Sequence, residues 1–184
     1  MTFVDSLHGW HDFFLLTGGG AATMLGLVFV AVSLAAGLPS LPKSGESDMF
    51  VSPILSQFGY AFGTAATCLA PWNAQSHFGA FITCLGASAF VRTGWLLRAM
   101  LRRHRNGDVV PARHWLWMGG MPFLTSLLMI FSGACLWRTS YRPIGVIGFA
   151  VLLLDLTGVR NTWQLVVWMI GARAANDAAK SNAA

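Results

Sequence analysis

Charge is what this sequence has least of. Only 10% of its 184 residues are Asp, Glu, Lys or Arg, against roughly 25% in an ordinary soluble domain. From Met49 to Val91 there is no charged residue at all, which excludes a solvated domain over that stretch. Acids are scarcer still, with 7 against 12 bases, and no paired carboxylates suited to general acid and base work can be assembled. The three cysteines, Cys68, Cys84 and Cys135, lie in apolar runs with no CxxC spacing, so a disulfide framework or a redox motif is not expected and each reads as a small hydrophobe. Gly18-Gly19-Gly20 lacks the Lys-Ser/Thr ending of a phosphate loop and enters an apolar run. Residues 1–12 hold no Lys or Arg, so the basic n-region of a secretory signal is missing. No Ser-His-Asp or Cys-His set and no dinucleotide fingerprint is present.

What remains is apolar: 55% of the chain is hydrophobic. The expectation is an all-α integral membrane protein, a single membrane domain over residues 1–184 built as a bundle of five transmembrane helices. The spans fall at about 13–37, 50–70, 77–97, 115–137 and 143–172, each at least the ~20 residues a bilayer needs. Pro39 and Pro42 mark the first connector and Pro71-Trp72-Asn73 the second. Residues 98–114 form an Arg-rich connector, Pro122 is expected to kink the fourth span, and residues 174–184 read as a frayed tail.

The net charge of +5 resembles a nucleic-acid signal until its bases are located. Most lie between or flank the apolar runs, which makes them a topology signal, and no nucleic-acid partner is expected. Placing the Arg-rich connector in the cytoplasm puts Lys43, Arg98, Arg102, Arg103, Arg105, Arg113, Arg173 and Lys180 inside, with Arg138 and Arg142 outside. The N-terminus is then outside and the C-terminus cytoplasmic. Tryptophans agree, with Trp10, Trp72 and Trp137 at one interface and Trp95, Trp115, Trp117, Trp163 and Trp168 toward the other.

The last span carries the most chemistry. Thr157, Arg160, Asn161 and Gln164 share one helical face at i, i+3, i+4 and i+7, while Asp155 points elsewhere. Ionisable groups inside a membrane cost about 2.5–3.5 kcal/mol each on insertion scales and need partners. At 1.5 Å per residue Asp155 lies about 18 Å from Pro143, and Arg92 about 21 Å from Phe78, so Arg92 is the expected partner of Asp155. Arg160 has backbone carbonyls, Glu46, Asp48 or a lipid phosphate within reach. This intramembrane polar network of Arg92, Asp155, Thr157, Arg160, Asn161 and Gln164 reads either as a clamp fixing helix register or as a proton or ion relay.

Three further patterns are candidates. Gly18, Ala22 and Gly26, and then Gly59, Gly63 and Thr67, are small-xxx-small ladders that let helices approach closely. Arg98, Arg102 and Arg105 form a stripe at i, i+4 and i+7 that continues the third helix and suits anionic lipid headgroups. His8, His11 and Asp12 stand at i, i+3 and i+4, ligand types and a spacing that zinc or copper can use on a continuous helix. Haem between spans is not expected, because no histidine lies well inside an apolar run, and no cofactor is expected overall.

Trp10-His11-Asp12-Phe13-Phe14, the small-residue run 18–22 and Gly26-Leu27-Val28-Phe29-Val30-Ala31-Val32-Ser33-Leu34 are similar to the opening of a family of small bacterial multi-span membrane proteins. Gly158-Val159-Arg160-Asn161-Thr162-Trp163 resembles the last-span pattern of that family, departing at Thr162 and Gln164, where Ala and an acid are expected. The resemblance implies a bacterial inner (cytoplasmic) membrane and carries no activity or functional residues with it. The expected function is that of a non-enzymatic structural or accessory membrane protein, self-associating through its glycine ladders. The alternatives are a small oligomeric ion or proton channel or transporter using the polar face of the last span, and a metal-binding membrane subunit or enzyme using His8, His11 and Asp12.

Overall fold

A computed structural model describes residues 3–36, 46–105, 116–137 and 143–183. Every regular element among them is helical. A short helix α1 (Phe3–Gly9) precedes α2 (His11–Ala36), α3 (Glu46–Leu69) and α4 (Gln75–Arg105). A π-helical turn (Leu116–Gly120) leads into α5 (Met121–Leu136), and α6 runs over Pro143–Ala183.

Four stretches are long and apolar enough to cross a membrane: His11–Ser33, Gln75–Arg102, Leu116–Leu136 and Pro143–Val167. These match the expected first, third, fourth and fifth spans. Helix α3 occupies the place of the expected second span, but its polar residues keep it out of that set. They are turned inward: Gln57, Thr64 and Thr67 are all buried. The hydroxyls of Thr64 and Thr67 donate to the carbonyls of Tyr60 and Gly63, both at 2.7 Å.

Consecutive long helices alternate in direction. At one end Gln75 Nε2 donates to the Leu136 carbonyl at 2.8 Å and Trp137 Nε1 to the Ser76 carbonyl at 3.1 Å. There too the Trp10 ring fills a notch where α6 has Gly145 and Gly148, a Cβ on Gly148 falling 2.8 Å from it. At the other end Arg92 of α4 meets Ser52 of α3. Helix α4 packs chiefly on α5, α2 on α3, and α6 on α5, α3 and α2. The core between them contains Phe14, Ile54, Phe58, Phe78, Met129, Ile147 and Val151.

Glycines set how closely the helices approach. A Cβ on Gly133 of α5 would lie 2.6 Å from the Gly79 carbonyl oxygen and 2.7 Å from the Thr83 nitrogen of α4, so the two backbones touch. On α6, a Cβ on Gly158 would lie 2.7 Å from the Phe58 ring.

Pro122 lies within the fourth apolar stretch, Leu116–Leu136. It sits in the first turn of α5, directly after the π turn, where its missing N–H leaves the Met118 carbonyl without an α-helical donor. The expected frayed tail is corrected: α6 stays helical through Ala183. Beyond Gly171 it meets neither Pro nor Gly and is rich in alanine, the best helix former.

Candidate functional site

The polar face of α6 points into the bundle. Thr157 and Asn161 are buried, with Asn161 at 0% exposure, while Arg160 and Gln164 are half-buried. Thr157 spends its hydroxyl on its own helix, donating to the Leu153 and Leu154 carbonyls at 2.7 and 3.0 Å. Asn161 instead links three elements. Its Nδ2 donates to Gln57 Oε1 of α3 at 3.2 Å and approaches the Trp117 carbonyl of the π turn at 3.5 Å. The Arg160 guanidinium lies over the Trp117 ring, 4.2 Å from its centroid, close enough for a cation–π attraction. The π turn thus presents both a carbonyl and an aromatic face to α6.

Arg92 and Asp155 do not pair. Arg92 is exposed on α4, and its Nη2 donates to the Ser52 carbonyl at 3.1 Å and the Ser52 hydroxyl at 2.8 Å. Asp155 is half-buried on the flank of α6, and its Oδ1 is buried with no hydrogen-bond partner. The reason is helix order: α4 packs on α5 and more lightly on α3, whereas α6 lies among α2, α3 and α5. Equal depth along two spans does not make them neighbours. The suggested Glu46 and Asp48 side chains for Arg160 lie outside the described residues.

Gln57 connects this cluster to a groove of about 710 Å³ between α3 and α4. Ser52, Ser56, Gln57 and Tyr60 line one wall, and Ser88, Arg92, Thr93 and Trp95 line the other. Gly59, which has no atom within 4 Å of where a Cβ would be, lines an adjoining hollow of about 410 Å³ with Arg92. Gln57 is only 3% exposed and its Nε2 has no acceptor.

The remaining candidates separate. Helix α1 ends at Gly9, so His8 lies on a different helix from His11 and Asp12 and the three-residue face is not formed. His11 Nδ1 lies 3.1 Å from Asp12 Oδ1, and no group of three His, Cys, Asp or Glu side chains among the described residues is placed to hold a metal ion. In the first ladder only Gly18 makes a close contact, a Cβ there falling 2.7 Å from the Ala65 Cβ, while Ala22 is exposed and Gly26 is open. Gly63 makes ordinary contact with Leu85, a Cβ falling 3.8 Å from Cδ2, while Gly59 faces the groove. Arg98, Arg102 and Arg105 are exposed on the continuation of α4. Among the cysteines Cys68 is buried and Cys84 is exposed.

Sequence reading missed Gln57, Ser52 and Trp117. Gln57 had a signal, being an amide in the middle of the charge-free run 49–91. A scan against protein-family models, a search of curated proteins and a search of solved structures each return no match.

Proposed function

We propose that this chain is a non-enzymatic structural or accessory protein of the bacterial inner membrane, crossing it five times with its N-terminus outside and its C-terminus in the cytoplasm. The observation that carries this reading is the burial of Asn161. A side chain at 0% exposure, bonded to Gln57 of another helix, ties α6 to α3. It is the arrangement expected of a clamp, since a conduction path wets the groups that line it. The inward polar residues of α3 support its being the fifth crossing.

The open positions at Ala22 and Gly26 support self-association, because small residues on an exposed helix face admit a second helix. The exposed Arg98, Arg102 and Arg105 suit anionic headgroups at the cytoplasmic surface. A second reading, a proton or ion path, is favoured by Asp155 Oδ1 and Gln164 Oε1, which are buried without donors.

Reconstitution in liposomes separates the two. The clamp reading expects proton and cation flux equal to that of protein-free vesicles. Flux abolished by Asp155→Asn would replace it with the transport reading. For self-association, Ala22→Leu with Gly26→Leu should convert a crosslinked dimer to monomer. Unchanged crosslinking would remove that part of the proposal.

A further inference from the structure

The groove between α3 and α4 is separate from the α6 clamp except where they share Gln57, and it carries a positive charge the clamp does not use. Among the described residues, Arg92 on its wall has only the neutral Ser52 as hydrogen-bond partner, and no carboxylate lines the groove. The guanidinium has five N–H donors in a planar fork, and only Nη2 is engaged. A second donor, Gln57 Nε2, is buried in the same groove without an acceptor. Two donor groups with capacity to spare, and no lining acid among the described residues, suit an anion. The wall also carries the neutral Ser56, Tyr60, Ser88 and Thr93, beside an apolar part formed by Val91, Trp95 and Leu96 of α4.

Depth agrees with a lipid. Arg92 lies six residues before Arg98, about 9 Å along α4, so it sits below the headgroup level that Arg98, Arg102 and Arg105 would mark. The groove extends over Ser52 to Tyr60, about 12 Å of α3. A cation at that depth is costly, and an anion at the end of an acyl chain offsets that cost while the chain covers the apolar part of the wall. We propose that this groove binds one anionic phospholipid of the leaflet that carries Arg98, its phosphate on Arg92 and Gln57 and an acyl chain along Val91, Trp95 and Leu96. The proposal rests on the chain lying in a bilayer, as argued above, and is independent of self-association.

Trp95 is 74% exposed and lines the groove, which makes it the reporter. The full chain is reconstituted in phosphatidylcholine vesicles containing either brominated phosphatidylglycerol or brominated phosphatidylcholine. The Trp95 signal is isolated by subtracting the fluorescence of a Trp95→Phe chain. Half-quenching should require about five-fold less of the anionic lipid than of the neutral one. That ratio should fall to about one in Arg92→Gln. It should also fall to about one in Gly59→Leu, which fills the adjoining hollow that Arg92 lines while keeping the guanidinium in the chain. It should persist when Arg98, Arg102 and Arg105 are all replaced by Gln. A ratio of one in the wild type, or one unchanged by Arg92→Gln and Gly59→Leu, would overturn the site. Loss of the ratio in the triple variant would move binding to the Arg stripe, and its loss in millimolar inorganic phosphate would make this a site for a soluble anion. Failure of the wild-type chain to float with vesicles would instead overturn the membrane reading on which the site depends.

Discussion

Replacing Gly133 by alanine adds one methyl group where there is no room for it. The atom nearest the new Cβ is the Thr83 hydroxyl of α4, which can turn aside, but main-chain atoms of α4 stand just behind it, the Gly79 oxygen at 2.6 Å and the Thr83 nitrogen at 2.7 Å. The two main-chain atoms cannot rotate away, so α5 must withdraw by about 0.8 Å to restore ordinary contact at 3.4 Å. A gap of about 0.5–1 Å already forfeits a quarter to a half of each dispersion contact it opens. The α4–α5 contact also includes Gly86 against Met129 and Ile130, and it loosens as a whole. Overpacking of this kind costs about 1–3 kcal/mol. Alanine is also the better helix former, by about 0.8–1.0 kcal/mol in water, which hides part of the loss. Gly26→Ala is the control, since its Cβ meets nothing within 4 Å and it gains the same propensity. The difference between the two variants then isolates the steric cost, and Gly133→Ala should be the less stable by about 1–3 kcal/mol. Unfolding of dilute protein in mixed micelles with rising SDS, followed by circular dichroism, measures it. Equal stabilities, or a larger loss at Gly26, would refute the packing described.

A double-mutant cycle on Gln57→Leu and Asn161→Leu should give a coupling of about 0.6 kcal/mol and no more than about 1.7, the range for hydrogen bonds between membrane helices. Zero coupling in the same SDS titration would mean that Asn161 does not bond across to α3. A cycle on Arg92→Gln and Asp155→Asn should instead be additive within about 0.5 kcal/mol, because the two share no partner. A coupling above about 1 kcal/mol would restore the ion pair that depth alone suggests. Replacing Trp117 by leucine should cost about 0.5–2 kcal/mol by removing the ring under Arg160, and a cycle with Arg160→Gln showing no coupling would contradict that contact.

Much of the bundle is legible in the sequence because apolar length and polar interruptions mark helices directly. The four apolar spans, the continuation of α4 through Arg98, Arg102 and Arg105, and the inward face of Thr157 and Asn161 follow from such local patterns. What faces a helix is not local. Arg92 and Asp155 sit at compatible depths, yet α4 and α6 are kept apart by α3 and α5, so Arg92 reaches Ser52. The Gly18, Ala22, Gly26 ladder turns by about 40° at each step of four residues, which carries its later members off the contact that Gly18 makes. The closest crossing belongs to Gly79, Gly86 and Gly133, scattered over two helices with no ladder to announce them. His8, His11 and Asp12 share a face only on a continuous helix, and α1 ends at Gly9.

The central claim is that α3, despite its polar residues, is a membrane crossing equivalent to the four apolar ones. Parity tests it. Single cysteines placed at Thr2 and at Ala184 of a chain freed of Cys68, Cys84 and Cys135 can be labelled in intact cells with a membrane-impermeant maleimide. Five crossings put the termini on opposite sides, so Thr2→Cys should label in intact cells and Ala184→Cys only after lysis. Labelling of both positions in intact cells, or of neither, would leave an even number of crossings and contradict the account.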